Sequence, residues 1–510
     1  MAKHYISILI VLLGIGSQAQ KQIGARLLDA STKKAIPFAT VSLNNKLGVI
    51  SNEHGFFQLH INTKMTTTDS LFFSCLGYEN KSKLALTFAD SIVYLSPKSI
   101  ELDEVLVSNK HYTAEEIIYK IKENIKRNYP VTLNKSTVFY RDSYYNNIDN
   151  VSVELEKSTI PEINQNLIDS LLYAMPKQGA DHTEILAHFY TTNLNENNEK
   201  MDIIKAAKLF NNISDMTFEN IEKRLNTILR TRIKRDSYFK IKSGVFGTKT
   251  EIDSSFFEEN TKPEDIEKTE AYLKEQQEKE QKQKDGFLKW RKHTISQFSK
   301  KTFYNEDSHL NFIFKHKKYD FELLDHLYLN NNFVYKIAFT PKRNAKYQGV
   351  FYVNLDDFAI VRVDYQNTEN IRNFKLLGVS YRVNGHKGCL IYEKNTTSSV
   401  YNLKYAEEEE LAMFGFNRPI KIIEKNKHTK GRRKQNEIDT DIDFIMNSRT
   451  RKELVVFENV SLTTQEFDTF KENANVTPTK LPKYDPNFWK GYNIIEPNEA
   501  IKNFKAIETE

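Results

Sequence analysis

Near the N-terminus, apolar and polar residues alternate with a period of two. Ala39, Val41 and Leu43 fall on one face of a strand, and Phe38, Thr40 and Ser42 on the other. Short runs of this kind recur from Gln22 to Leu95, broken by polar turns at 29–34 and 52–55 and by Gly77. Gly55 can take a positive φ, so Asn52-Glu53-His54-Gly55 reads as a hairpin turn. Seven strands at this spacing predict a β-sandwich over residues 20–96. Ahead of it, Lys3 and His4 precede an apolar run from Tyr5 to Ile15, and Ser17 and Ala19 follow. That is the plan of a signal peptide over 1–19, its apolar run shorter than the roughly 20 residues a membrane span needs.

Beyond Pro97 the period changes. Leu102 to Val107 reads as one more strand. Then Thr113 and Glu116 form a capping box ahead of an apolar stripe, Ile117, Ile118, Ile121 and Ile125. Asn128 and Pro130 end this helix, so 97–135 is a linker strand plus an amphipathic helix. Residues 136–302 read as a mixed helical region, with an extended stretch at 138–144 and a helical pattern at 220–235. Its end is rich in Glu, Gln and Lys: 264–284 is a solvated or partly disordered helix, docked at its far end by Trp290, Ile295 and Phe298.

From 303 to 460 the period returns to two, with strands expected at 311–315, 333–339, 348–353, 359–365, 376–382, 388–394 and 438–446. Short polar turns between many of them predict an antiparallel meander or half-barrel. Residues 461–510 form a strap held by aromatic anchors around Trp489. The fold class is α+β: an N-terminal seven-stranded sandwich, a mixed helical region and a β-rich domain.

Composition narrows the picture a little. Among 510 residues, 73 Lys and Arg face 67 Asp and Glu, a mild excess that makes no case for nucleic acid. Cys75 and Cys389 fall in different predicted domains and read as two separate thiols rather than a disulfide. No spanning segment follows the signal, so an exported protein of the periplasm or outer-membrane surface is expected.

Pro37 to Val41, Ser51 to Phe57 and Phe73 to Glu79 resemble the carboxypeptidase regulatory-like, transthyretin-like domain of Gram-negative envelope proteins. Leu102 to Val107 matches a segment that often follows it. The stretches Lys346 to Val363 and Tyr484 to Trp489 resemble uncharacterised envelope proteins that carry this domain in front. Some relatives continue into an outer-membrane barrel; none is seen here, so a channel is not expected. The resemblance implies a binding or docking role.

Familiar catalytic motifs do not occur in the chain. None of the twelve His residues has Glu three positions on, as a zinc carboxypeptidase requires, and no Gly-x-Ser-x-Gly elbow or phosphate loop occurs. His182-Thr183-Glu184 has the wrong spacing and reads as surface side chains starting a helix. Asp439, Asp441 and Asp443 echo a calcium loop, but Phe444 and Thr450 stand where Gly and Glu belong. No catalytic residue, cofactor or metal is expected.

One basic run, Lys425, Lys427, Lys430, Arg432, Arg433 and Lys434, reads as a solvated hairpin tip or as a contact for anionic lipid. The leading expectation is a non-enzymatic envelope protein whose N-terminal domain docks a protein partner by its edge or loops. A periplasmic carrier of lipid, a glycan-binding role and a hydrolase built from scattered residues remain open. Which one holds turns on whether the C-terminal sheet is hollow or filled.

Overall fold

The computed structural model describes residues 21–98, 112–130, 132–192, 199–210, 225, 227–234, 236–251, 266–330, 332–342, 344–395, 398–428 and 433–505. The expected signal peptide, the strand at 102–107, Lys430 and Arg432 lie outside them.

Seven short strands open the chain: β1 (Lys21–Asp29), β2 (Thr40–Leu43), β3 (Leu47–Ile50), β4 (Phe56–Ile61), β5 (Ser70–Ser74), β6 (Lys81–Leu84) and β7 (Ile92–Leu95). They form a three-stranded sheet, β4-β1-β7, and a four-stranded sheet, β3-β2-β5-β6. Both turn their apolar faces onto one core that includes Leu27, Val41, Leu59, Leu71 and Phe73. The 52–55 turn is not a hairpin, because β3 and β4 belong to different sheets. Asn52 Oδ1 accepts from the backbone N–H of His54 and Phe56, and Gly55 sits at φ +78°. A Cβ on Gly55 would lie 2.5 Å from the Leu27 carbonyl, so a glycine is needed where the chain crosses between layers.

The remaining elements are α1 (Ala114–Asn128), β8 (Leu133–Ser158), α2 (Gln165–Ala174), β9 (Gln178–Thr192), β10 (Lys200–Phe210), β11 (Ser237–Ser243), β12 (Phe246–Glu251) and α3 (Ile266–Lys300). After them come β13 (Tyr319–Leu329), β14 (Asn332–Pro341), β15 (Tyr347–Asn354), β16 (Ile360–Asn367), β17 (Arg372–Leu376), β18 (Val379–Lys394), β19 (Tyr401–Asn426) and β20 (Lys434–Ser461). The chain closes with α4 (Thr464–Thr469), β21 (Thr479–Leu481) and α5 (Glu499–Lys502).

All strands from β8 onward join a single 14-stranded sheet, whose main path runs β13-β14-β15-β16-β18-β19-β20-β8-β9-β10-β21. The expected boundary at 302/303 therefore divides nothing in the sheet, and the described residues of 136–251 are largely strand rather than helix. β8 alone runs 26 residues and pairs with β20 and β9 on its two sides. Its half-wet outer part, Val151-Ser152-Val153-Glu154-Leu155, carries a clean strand alternation that polar neighbours obscured. Two smaller expectations also fail. Residues 311–315 form turns rather than a strand, and 376–382 is split by a tight turn between β17 and β18.

Along each strand, alternate residues serve opposite faces. Val138, Tyr140, Ile185, Leu454 and Ala406 belong to one core, while Phe139, Leu186, Val455 and Tyr405 belong to another. The first face is covered by α1, the end of α3 and the 301–315 turns. Thr113 and Glu116 form the reciprocal cap of α1, and Ile117, Ile118, Ile121 and Ile125 are buried. Each such burial is worth about 1.5–3 kcal/mol as an upper estimate. Ile295 and Phe298 dock α3, whereas Trp290 stays 63% exposed. Phe303, Leu310, Phe312, Ile313, Phe339 and Phe351 are fully buried here, so side chains fill this face of the sheet.

The second face receives the N-terminal domain. Phe38 stacks on Tyr405, Ile50 joins the same core, and Gly77 N–H donates to the Tyr328 carbonyl at 2.8 Å. The C-terminal strap is wedged alongside, burying Trp489, Ile494 and Ile495.

Candidate functional site: a charged cluster and an open cleft

On the second face, β8, β9, β19 and β20 run side by side, and their registers align polar residues across the sheet. Arg141 lies opposite Glu184 on one side and Glu453 on the other, and Glu453 lies opposite Glu407. Arg141, 1% exposed, donates from Nε to Glu184 Oε1 at 2.7 Å, from Nη1 to Glu453 Oε2 at 3.4 Å and from Nη2 to the Ile495 carbonyl at 2.8 Å. Trp489 Nε1 donates to Glu184 Oε2 at 2.6 Å. Arg451 reaches Glu407 at 3.1 Å and Glu453 at 3.3 Å through Nη2, and through Nη1 reaches Glu53 of the N-terminal domain at 2.5 Å. Asn498 of the strap donates to the other Glu53 oxygen at 3.2 Å. Sheet, N-terminal domain and strap thus share one buried ionic cluster of two guanidiniums and four carboxylates.

Burial pushes the Glu407 carboxyl up despite Arg451. Burial acts the same way on Glu53, but there Arg451 and Asn498 prevail and hold it below the ordinary range. Such a cluster is costly to dehydrate and specifies geometry more than it adds stability.

Further along the same strands the second face meets Phe504 of the strap. His182, in the middle of β9 and 1% exposed, shares a 2.9 Å hydrogen bond between Nδ1 and Ser143 Oγ. The rings of Tyr145 and Phe504 meet it edge-on at 5.4 and 5.5 Å. Burial, then the nearby Arg141 charge, lower its pKa to about 4, so the ring is neutral. The expectation of a surface helix at 182–184 is corrected: Thr183 and Glu184 are equally buried strand residues. The flanking Ile185-Leu186-Ala187 was the available signal.

Beyond His182 lies a cleft of 770 Å³, walled by Tyr145, Asn147, Gln178, Asn447, Leu411 and Phe504. Arg449 and Lys505 also line it, and among the described lining residues there is no carboxylate. Arg449 lies 5.6 Å over the Tyr145 ring and donates to Glu409 at 2.6 Å.

The first face holds a second polar string that sequence reasoning missed. Tyr347 OH lies 2.9 Å from His386 Nδ1, His386 Nε2 lies 2.8 Å from Glu408, and Lys301 Nζ donates to Glu408 at 2.7 Å. Burial pushes the Glu408 carboxyl up, but His386 and Lys301 together hold it well below the carboxylate range. The rings of His309, Tyr347 and Tyr365 enclose this string.

The basic run sits at the outer end of the β19–β20 hairpin. Lys425 lies opposite Lys434, Lys427 donates to Glu251 at 2.9 Å, and Lys434 pairs with Glu437. Asp439 pairs with Lys421 at 2.5 Å, and Asp443 accepts from Asn150 at 2.9 Å, which is strand-face chemistry. Among the described residues no group of three His, Cys, Asp or Glu could hold a metal ion. Cys75 and Cys389 are free thiols, and no described helix is long and apolar enough to cross a membrane.

Residues 26–107 match the family model described as the CarboxypepD_reg-like domain. The chain carries a carboxypeptidase regulatory-like domain at its N-terminus. That domain supplies Phe38, Glu53 and Ile50 to the interface above. No curated protein matches the chain. Among solved structures, the chain is similar to one from the Pseudomonas aeruginosa MucA/MucB complex, at 4% identity, 64% of this chain, 93% of that chain and a TM-score of 0.15. A second, from a crystal structure of MucB in complex with MucA(peri), is matched at 5% identity over 65% and 94% of the two chains, again with a TM-score of 0.15.

Proposed function

We propose that this is a non-enzymatic binding protein of the cell envelope, exported to the periplasm or the outer-membrane surface. Its transthyretin-like sandwich is a docking module used within the chain: the loops that would meet a partner bind the protein's own sheet and strap. A ligand can enter the cleft beside the strap, and its walls carry the reading. The side chains of Asn146 and Gln178 offer amide groups, those of Asn147 and Asn447, whose Nδ2 groups donate to Asp149, offer their carbonyl oxygens, and Tyr145 and Phe504 offer ring faces and edges. Amides matched to hydroxyls and rings matched to C–H faces suit a glycan chain. Lys505 adds the capacity for an acidic sugar, while the Arg449 charge is met by Glu409.

The carrier reading draws no support from the first face of the sheet, where Phe303, Phe312, Phe339 and Phe351 occupy the space an acyl chain would need. The test is a calorimetric titration of the full chain with N-acetylated chito-oligosaccharides and with oligogalacturonates, alongside Leu411→Trp, which fills the cleft. Saturable binding lost in the variant is expected. Absence of binding to either glycan, or binding indifferent to Leu411→Trp, rejects the reading.

A further inference from the structure

Two tight hairpins meet on one edge of β19, far along the strand from the N-terminal domain. β18 pairs with β19 up to Phe416, and β11 takes over the same edge from Lys421. The turn joining β17 to β18 and the turn joining β11 to β12 therefore face each other across Asn417 and Arg418. Asn417 N–H donates to the Gly378 carbonyl at 2.7 Å. Arg418 bonds the Ser243 carbonyl, lies 5.1 Å over the Phe246 ring, and brings its Cγ within 2.6 Å of where a Gly378 Cβ would be. One arginine thus ties both tips together.

The side chains at these tips have the wrong polarity for solvent. Val245 is 86% exposed, Leu376 55%, Leu377 53%, Phe246 53% and Phe374 50%. Leu377 also has the wrong backbone: it sits at φ +48°, next to Gly378 at φ +81°, in a two-residue turn with both central residues left-handed. Asn, Asp or Gly normally fill that position, because a branched side chain is strained there. The strain is tolerated although Leu377 buries little within the chain.

Charge completes the pattern. Segment 372–382 carries Arg372, Lys375 and Arg382 and no carboxylate, and the β11–β12 hairpin carries Lys240, Lys242 and Lys249, the last paired with Glu251 at the end of β12. β20 sets Asp443 opposite Asn417 and Asp441 opposite Pro419, so the cations around the tips outnumber the carboxylates without excluding them. Exposed apolar tips with that excess of positive charge match an anionic lipid surface, with headgroups for the lysines and arginines and the acyl boundary for the leucines and phenylalanine.

We propose that the two hairpin tips form a membrane-surface contact that seats Leu376, Leu377, Val245 and Phe246 in the headgroup region of an anionic bilayer. This goes beyond the cleft reading and does not depend on it. The basic hairpin end at Lys425, Lys427 and Lys434 lies beyond β11 on the same strand pair, with Lys427 paired to Glu251 and Lys434 to Glu437.

Co-sedimentation of the full chain with vesicles of phosphatidylethanolamine plus phosphatidylglycerol tests it, with pure phosphatidylcholine vesicles as the neutral arm. The anionic vesicles should bind the protein at least about tenfold better than the neutral ones, and less well as salt rises. Phe246→Ser with Leu376→Ser should weaken that binding by about tenfold or more. Leu377→Asn keeps the turn, because Asn accepts the left-handed conformation; it should leave the melting temperature unchanged or higher while reducing vesicle binding. No uptake by anionic vesicles, equal uptake by both kinds, or variants that bind as wild type would overturn the proposal. Loss of a protein partner in the variants without any vesicle binding would overturn it too.

Discussion

Phe38 stacks on Tyr405 with ring centroids 4.7 Å apart and an interplanar angle of 28°, joining the N-terminal domain to the centre of the large sheet. Phe38 does this from φ +59°, in the left-handed region, with its N–H held by the Ser51 carbonyl at 3.0 Å. A bulky residue is rarely found there.

Two substitutions separate contact from strain. Phe38→Ala removes the stack, worth about 0.5–1.5 kcal/mol beyond its burial, and keeps the left-handed cost. Phe38→Gly removes both, at some cost in unfolded-chain entropy. The glycine variant should therefore be more stable than the alanine variant by up to about 1 kcal/mol. Urea denaturation measures it; an alanine variant equal to or better than the glycine variant contradicts the backbone assignment.

Arg141 is the keystone cation of the buried cluster. Arg141→Met leaves Glu184 and Glu453 without it, and should cost about 3–5 kcal/mol. Adding Glu184→Gln removes one stranded charge, while the amide oxygen still accepts from Trp489. The double variant should be more stable than Arg141→Met alone. If both denature at the wild-type midpoint, the cluster is solvated rather than buried.

Acid should loosen the strap through His182. The ring titrates near 6.5 when unfolded and at about 4 when folded, so on acidification the unfolded chain takes up the proton first. Its contribution is complete above about pH 6.5 and falls away towards pH 4, by up to about 3 kcal/mol. His309, lowered to about 3 by burial and the His386 charge, acts in the same direction. Melting temperatures of wild type and His182→Gln, compared from pH 7 to pH 4, isolate the difference. Parallel curves would show that His182 does not titrate against the fold.

Much of the N-terminal domain was legible in the sequence. Ala39, Val41 and Leu43 point into a single core, and the Thr113–Glu116 box caps its helix, because both signals are local. The middle of the chain misled for an equally local reason. Outer parts of β8, β19 and β20 run beyond the core, so their alternation is diluted by polar residues on both faces and loses its contrast. His182 and Glu184 read as surface polar residues because burial of a charge depends on a partner, and Arg141 lies 43 residues before Glu184.

By itself the sequence determined the strand-rich N-terminal domain, the amphipathic helix, the absence of familiar catalytic motifs and the separation of the two cysteines. Those follow from spacing and composition within short windows. Tertiary structure alone decided that β8 to β21 form one sheet, that its first face is filled by rings, and that the N-terminal domain docks against its own chain through Phe38 and Glu53. It also brought the tips at 245–246 and 376–377 together. Such pairings depend on long-range strand order and on which face each alternation ends up serving, and neither is written in any local stretch of residues.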